Sequence, residues 1–216
     1  MVFDDLKSNW KHFIESKTII FVFILTLVLL IILLNLFGRF LLYVENRPGV
    51  VLQDPFFGYF KATDFNTPIF ILIYGSLLTG LIFLIPYPKH LLVALQTYLF
   101  MVIFRFIAMY FTPLEVPEGI INLRDPLVFA FGTGQTVTKD LFFSGHLASF
   151  TILFLTAKNK FLKWIFLALG LMAASMIFLQ KVHYTIDLFV APLFAFASYS
   201  IIKKINKKIF RKEAQM

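Results

Sequence analysis

Two short stretches in the C-terminal half of the chain carry residues that could perform nucleophilic or acid–base chemistry. His183 and Asp187 lie four positions apart, so on a helix they share a face and can hydrogen-bond. His146 follows Ser144 and Gly145 at the start of another apolar run. A histidine held by a carboxylate, with a second histidine facing it, is the layout of a nucleophile, its orienting group and an acid–base partner.

The composition around these residues predicts an integral membrane protein. Of the 216 residues, 59% are hydrophobic and only 15% are charged, a balance that is rare in soluble domains. Several uncharged runs reach about 20 residues, the length that crosses about 30 Å of hydrocarbon. The chain has no cysteine, which excludes disulfides and thiolate chemistry. We therefore expect one helical domain within the bilayer.

The apolar runs predict an all-α, six-helix transmembrane bundle that places the histidines at one membrane face. We expect an N-terminal interfacial segment at 1–17, a catalytic membrane domain at 18–202 and a basic cytoplasmic tail at 203–216. Ionisable groups at the ends of membrane helices are costly and usually functional. The predicted spans are 18–37, 68–85, 91–111, 141–157, 161–179 and 183–202.

The distribution of basic residues predicts cytoplasmic termini. Thirteen Lys and Arg lie on the side of the two termini and six lie on the opposite side, with Arg105 inside the third span. His146, His183 and the long loop 112–140 then lie at the non-cytoplasmic face, where long loops often act as lids. The net charge of +8 arises largely from the tail, which suits anionic lipid head groups, so we expect no nucleic-acid partner.

Lipid head groups offer phosphorus as an electrophile at this depth of the membrane. We predict that His183 attacks as a neutral imidazole, while Asp187 holds its other ring nitrogen and stabilises the cation that forms. His146 would protonate the departing alkoxide and then deprotonate the acceptor. The backbone N–H groups near Gly145 would favour an anion. Four cations are candidates to neutralise phosphate oxygens: Arg105, Arg124, Lys139 and Lys181.

Besides a lipid phosphotransferase, these residues are compatible with two other functional classes. A lipid phosphatase would use the same residues with water as the acceptor. A transporter with His146, His183 and Asp187 as a proton relay would need ionisable groups throughout the membrane depth. Here they gather at one face, which disfavours transport. The sequence shows no ligand spacing typical of a metal site, so we expect neither a metal nor a cofactor.

Two motifs resemble the catalytic motifs of the sphingomyelin synthase family, a branch of the type-2 phosphatidic acid phosphatase superfamily. They are Phe143-Ser144-Gly145-His146 and His183-Tyr184-Thr185-Ile186-Asp187. Asp140 fits the acidic position that precedes the first motif, and 105–117 resembles the family's arginine-threonine-proline motif. Leu52-Gln53-Asp54 resembles its Leu-Pro-Asp motif. The resemblance covers about residues 50 to 200.

The resemblance implies transfer of a phospho-head group from a glycerophospholipid to a ceramide- or diacylglycerol-like alcohol through a phosphohistidine. Other superfamily members carry an arginine six residues before the nucleophilic histidine, where this chain has Ile177, so the synthase branch fits better. Hydrolysis in the manner of a lipid phosphatase or phospholipase C stays open, as do the head group and a homo-oligomer. The resemblance also places four residues at the substrate: Ser144, Gly145, Tyr184 and Asp140.

Overall fold

The computed structural model describes residues 2–126, 129–130 and 134–213, and this part of the chain is helical. It contains seven α-helices and no β-strand, together with one 3₁₀ turn at Phe57–Tyr59. The all-α prediction is therefore confirmed for the described residues. The helices are α1 (Val2–Glu15), α2 (Lys17–Asn46), α3 (Asn66–Leu84), α4 (Pro88–Phe111), α5 (Gly145–Thr156), α6 (Lys160–Leu179) and α7 (Thr185–Glu213).

Five of these helices, α2, α3, α4, α6 and α7, are long and apolar enough to cross a membrane. Their outward faces expose large apolar side chains such as Phe21, Ile71 and Phe189, which suits contact with lipid tails. These features fit a multi-pass membrane protein. The predicted count of six spans is not confirmed for the described residues, because α5 has 12 residues and extends only about 18 Å.

The short length of α5 follows from the depth at which it begins. Residues 141–144, which we predicted to be helical, form an irregular segment that contacts Arg105 inside α4. Arg105 Nε donates a hydrogen bond of 3.0 Å to the Phe143 carbonyl oxygen. Arg105 lies about 9 Å along the helix axis from the end of α4 at Phe111. The chain thus enters the bundle before α5 starts, and Ser144 caps the new helix by accepting from Leu147 N at 3.4 Å.

The helix α2 also differs from its predicted bounds, since it continues beyond residue 37 to Asn46. Phe40, Leu41 and Val44 prolong its buried face and so favour helix over loop. The helix ends just before Pro48, because a residue that precedes proline is pushed out of the helical region.

At the opposite end of the bundle from the histidines, the two terminal regions pack on the helices. Trp10 of α1 donates from its indole nitrogen to the Ile85 carbonyl oxygen at 2.8 Å. The segment predicted as a tail continues α7 to Glu213, and Asn206 donates to Gln96 Oε1 at 2.6 Å. Of the predicted loop 112–140, positions 127–128 and 131–133 lie outside the described residues.

The core brings the starts of α5 and α7 together beside α4. Ala148 of α5 and Ala191 and Ala195 of α7 are fully buried in the same cluster as Met101 and Val102 of α4. Such small residues allow helix backbones to approach closely within a membrane. The residues that begin α5 and α7, which include both candidate motifs, therefore share one end of the bundle.

Candidate active site

His183 and Asp187 form a buried pair at the start of α7. The His183 Nδ1 atom lies 3.2 Å from Asp187 Oδ2, and the two side chains are 5% and 0% exposed. Because Nδ1 faces the carboxylate, Nε2 is the ring nitrogen left for chemistry. The contact predicted from the i, i+4 spacing is present, although His183 precedes α7, which begins at Thr185 and not at the predicted residue 183.

The second carboxylate oxygen of Asp187 adds to the electrostatic cost of burying this pair. Within the described residues, Asp187 Oδ1 is buried and has no hydrogen-bond partner. A buried carboxylate that is only partly satisfied is costly and gains most from a neighbouring positive charge. Asp187 is therefore placed to stabilise the positive charge that would form on the ring if His183 attacked an electrophile.

Two distant loops fix the position of this pair by binding the start of α7. Asp54 Oδ2 accepts from Thr185 N at 2.7 Å, and Asp54 Oδ1 accepts from Thr185 Oγ1 at 3.0 Å. Tyr184 is buried, and its hydroxyl donates to the Glu115 carbonyl oxygen at 3.0 Å and accepts from Leu52 N at 3.1 Å. Tyr184, predicted at the substrate, is thus held within the protein, and Asp54 acts as a long-range helix cap.

The carboxylate nearest to His146 belongs to Asp125, which the sequence did not point to. His146 Nε2 lies 3.8 Å from Asp125 Oδ2, and the side chains are 23% and 15% exposed. The Tyr74 hydroxyl donates to Asp125 Oδ1 at 2.5 Å. No spacing rule connects these positions, because loop, α3 and α5 meet only in the folded chain.

Both histidines line one cavity of about 390 Å³. Asp140 and Arg124 line it as well, together with loop residues that include Thr136. The Arg124 side chain is exposed, while its backbone N–H donates to Asn66 Oδ1 at 3.1 Å. Of the four predicted phosphate cations, Arg124 is the one that lines this cavity.

Arg105 of α4 binds the irregular segment that precedes α5. Its side chain is 8% exposed and forms an ion pair with Asp140, in addition to the hydrogen bond to the Phe143 carbonyl oxygen. Gly145 packs on the guanidinium so closely that a Cβ atom there would lie 2.9 Å from Arg105 Cζ. Glycine at this position therefore lets Arg105 reach its partners. Ser144 is fully buried and serves as the helix cap.

Lys139 and Lys181 bind protein groups and are not among the described residues that line the cavity. Lys139 Nζ donates to Glu115 Oε1 at 2.7 Å and to the Arg47 carbonyl oxygen at 2.9 Å. Lys139 holds the pKa of the Glu115 carboxyl below its usual range. Lys181 Nζ donates to the Phe57 carbonyl oxygen at 2.7 Å. A phosphate-binding role for either lysine stays a prediction.

An apolar groove of about 850 Å³ lies between α5, α6 and α7. Phe56 and Thr185 line it near the histidine end of the bundle, and Phe154 and Phe166 line it farther along. Leu147, which follows His146, and Thr185, which lies between His183 and Asp187, both line the groove. The groove therefore begins beside the polar cavity. Its lining is that expected for a lipid chain.

For metal binding, the described residues contain no group of three or more His, Cys, Asp or Glu that could hold an ion. The expectation that the chemistry needs no metal stays a prediction. The charges that surround the two histidines come instead from carboxylate and guanidinium side chains.

Comparison with known proteins finds a family similarity for the segment that contains both motifs. No curated protein and no solved structure matches the chain. Residues 139–205 match the family model described as PAP2 superfamily C-terminal, and this segment includes His146, His183 and Asp187. Members of that superfamily are phosphatases or phosphotransferases, so the match supports an enzyme. This segment is therefore similar to the C-terminal part of the type-2 phosphatidic acid phosphatase superfamily.

Proposed function

We propose that this protein is a membrane lipid phosphotransferase of the sphingomyelin synthase type. It moves a phospho-head group from a glycerophospholipid to a ceramide- or diacylglycerol-like alcohol. The observation that carries the proposal is the buried His183–Asp187 pair, which shares a cavity with His146 next to an apolar groove. The match of residues 139–205 supports phosphoryl transfer at this site.

In the first half of the reaction, His183 Nε2 attacks the phosphorus atom of the donor. A P–N bond forms, the P–O bond to the diacylglycerol breaks, and Asp187 stabilises the imidazolium through Nδ1. His146, as the imidazolium, gives its proton to the departing alkoxide oxygen. The products of this half are diacylglycerol, phospho-His183 and neutral His146.

In the second half, an acceptor alcohol replaces the diacylglycerol. His146 takes the proton from the acceptor hydroxyl, whose oxygen attacks phosphorus while the P–N bond breaks. His183 returns to the neutral form and His146 returns to the imidazolium. Arg124 and the N–H groups at the start of α5 are the groups proposed to neutralise the phosphate oxygens.

The apolar groove supports a lipid as the substrate. A glycerophospholipid could place its head group in the polar cavity and an acyl chain along α5, α6 and α7 without leaving the bilayer. Gly170 lets α6 pack closely on α5 beside this groove, because a Cβ atom there would lie 3.0 Å from Phe150 Cβ. Burial of the chain would supply binding energy far from the reacting phosphorus.

Hydrolysis is the second candidate function, and one observation favours it. His146 is 23% exposed in a cavity with polar lining, so water can reach the atom that activates the acceptor. Water would then replace the lipid alcohol in the second half of the reaction. The first half would be unchanged.

The two candidates are separated by the products formed from a labelled donor. Purified protein is incubated with phosphatidylcholine or phosphatidylethanolamine labelled in the head group, with and without ceramide or diacylglycerol. We expect the label in a new lipid only when the acceptor is present, and no product from His183→Ala. Release of a water-soluble phospho-head group at the same rate with and without acceptor would establish hydrolysis. Absence of both products would contradict the proposal.

We also propose that the termini are cytoplasmic and that the active site opens on the other side. The basis is the excess of basic residues near the termini. Because the chain has no cysteine, a single cysteine at the exposed position Glu118 or Lys160 reports sidedness directly. In intact cells an impermeant thiol reagent is expected to label Glu118→Cys and not Lys160→Cys. The reverse pattern would overturn the orientation.

A further inference from the structure

The Asp125 carboxylate lies between the Tyr74 hydroxyl and the His146 ring. The Tyr74 hydroxyl donates to one oxygen of its carboxylate at 2.5 Å, and the other oxygen lies 3.8 Å from His146 Nε2. The three side chains come from α3, the loop before α5, and α5 itself. Tyr74 thereby limits the rotation of the carboxylate and keeps Oδ2 directed at the histidine.

We propose that Asp125 is a positioning residue that keeps His146 protonated for its role as the general acid, and that Tyr74 fixes Asp125 in place. This inference rests on the proposed function, because it concerns the proton that His146 gives to the departing alkoxide. The proton transfer itself is balanced without Asp125. His146 loses one proton in the first half and regains one from the acceptor in the second, while Asp125 stays a carboxylate throughout.

The charges around His146 show why such a carboxylate is needed. Burial of this ring disfavours its protonated form, and Asp125, His183, Asp140 and Arg105 act on it electrostatically. Arg105 is paired with Asp140, so its charge is already balanced, and His183 is paired with Asp187. When His183 attacks, it becomes a cation beside His146 and favours early loss of the His146 proton. Asp125 offsets that repulsion until the leaving oxygen needs the proton.

The first test exploits the leaving group. Two donors with the same head group are compared, a diacylglycerol ester and a nitrophenyl ester, since a nitrophenolate departs without a proton. Asp125→Asn is expected to lower kcat by about 100-fold with the lipid donor and by less than about threefold with the nitrophenyl donor. Tyr74→Phe should show the same selectivity with a smaller loss. Asp64→Asn, an exposed carboxylate that accepts from Asn66 N, serves as the charge-matched control.

The second test is the pH profile of kcat with the lipid donor. The alkaline limb reports loss of the His146 proton, so removal of the Asp125 charge should move it to lower pH in Asp125→Asn. The limb should stay in place in Asp64→Asn. Equal losses with both donors, or an alkaline limb that does not move in Asp125→Asn, would overturn the assignment and leave Asp125 a structural residue.

A third readout does not require turnover. Histidine labelled with ¹³C gives a titration curve for each ring in detergent, and the His146 signal is identified by its loss in His146→Gln. Its titration midpoint is expected to fall in Asp125→Asn and to change less in Tyr74→Phe. An unchanged midpoint would refute the coupling between Asp125 and His146. Failure of both donors with the unaltered protein would instead refute the proposed function, so the two failures are distinguishable.

Discussion

The two histidines face carboxylates that the chain delivers in different ways. Asp187 lies in the first turn of α7, four residues after His183, and the two side chains approach to 3.2 Å and are almost fully buried. Asp125 reaches His146 from a loop, at 3.8 Å and with both side chains partly exposed. The tight, dry pair suits a nucleophile that must keep one tautomer, and the looser, wetter pair suits a group that exchanges protons with successive partners.

The contacts that hold the starts of α7 and α5 also differ. Two acceptors on loops that are distant in sequence hold the start of α7: the Asp54 carboxylate accepts from Thr185, and the Glu115 carbonyl oxygen accepts from the Tyr184 hydroxyl. The start of α5 depends on the Arg105 guanidinium, which spans Asp140, the Phe143 carbonyl oxygen and Gly145. Changes at these two supports should therefore affect different steps.

The largest effect is expected when the tight pair is broken. Asp187→Asn would favour the wrong tautomer of His183 and leave its cation unstabilised, so kcat should fall by about 10⁴-fold. The loss should be the same with lipid and nitrophenyl donors, in contrast to Asp125→Asn. Steady-state kinetics in detergent and a gel-filtration profile check the prediction. An Asp187→Asn variant that keeps more activity than Asp125→Asn would invert the comparison.

A second change acts on the support of α5. Gly145→Ala would place a methyl group against the Arg105 guanidinium, and overpacking of this kind costs about 1–3 kcal/mol. We expect a lower Tm and a displaced His146, with the larger loss of rate for the lipid donor. The matched control is Gly75→Ala in α3, where a Cβ atom meets nothing within 4 Å. Equal Tm values for the two variants would show that Arg105 does not depend on this contact.

A third change acts on the cap of α7. Asp54→Ala removes both acceptors for Thr185, and loss of such a cap costs about 0.5–2 kcal/mol. Asp54→Asn keeps one acceptor and should recover part of the loss. Thermal unfolding followed by circular dichroism measures the difference. If Asp54→Ala unfolds at the same temperature as the unaltered protein, the contact does not stabilise α7.

A smaller, pH-dependent effect is expected from the pair of Glu115 and Lys139, away from the cavity. Because Lys139 lowers the pKa of Glu115, the pair contributes stability above the ordinary carboxyl pKa and loses it as the pH falls through the lowered value. The contribution should stay below about 1 kcal/mol, since both side chains are partly exposed. Glu115→Gln should flatten the acid side of a plot of Tm against pH. An unchanged plot would count against the pair.

No effect at all is expected from metal removal. The two carboxylate–histidine pairs and the nearby arginines supply the charge that a metal would otherwise provide. Turnover should therefore be the same before and after dialysis against EDTA. Activity that disappears with EDTA and returns with one divalent ion would contradict the mechanism for both histidines.

The contrast between the pairs also explains what could be predicted from the sequence. The contact of His183 with Asp187 was expected from their i, i+4 spacing, and it is present although His183 precedes α7, which begins at Thr185. Asp125 could not be found in this way, because its approach to His146 depends on how a loop folds over α3 and α5. Lys139 and Lys181 were predicted to bind phosphate, but the structure shows them donating to Glu115 and to the Phe57 carbonyl oxygen. These contacts depend on tertiary structure, so the sequence did not indicate them.

The same reasoning applies to the fold. Long apolar runs predicted five of the spans, because length and hydropathy are properties of the sequence itself. The short α5 was predicted too long, since residues 141–144 look as apolar as the helix that follows them. Only the position of Arg105 inside α4 explains why those residues form an irregular segment.

The central claim is that His183 carries the phosphoryl group and His146 moves the proton, and mapping the phosphohistidine tests it most directly. Purified protein is mixed with a nitrophenyl donor whose phosphorus is labelled, quenched at alkaline pH to preserve the P–N bond, and digested for mass spectrometry. We expect label on His183 in the unaltered protein and in His146→Ala, and none in His183→Ala. Label on His146, or label that persists in His183→Ala, would contradict the claim and exchange the two roles.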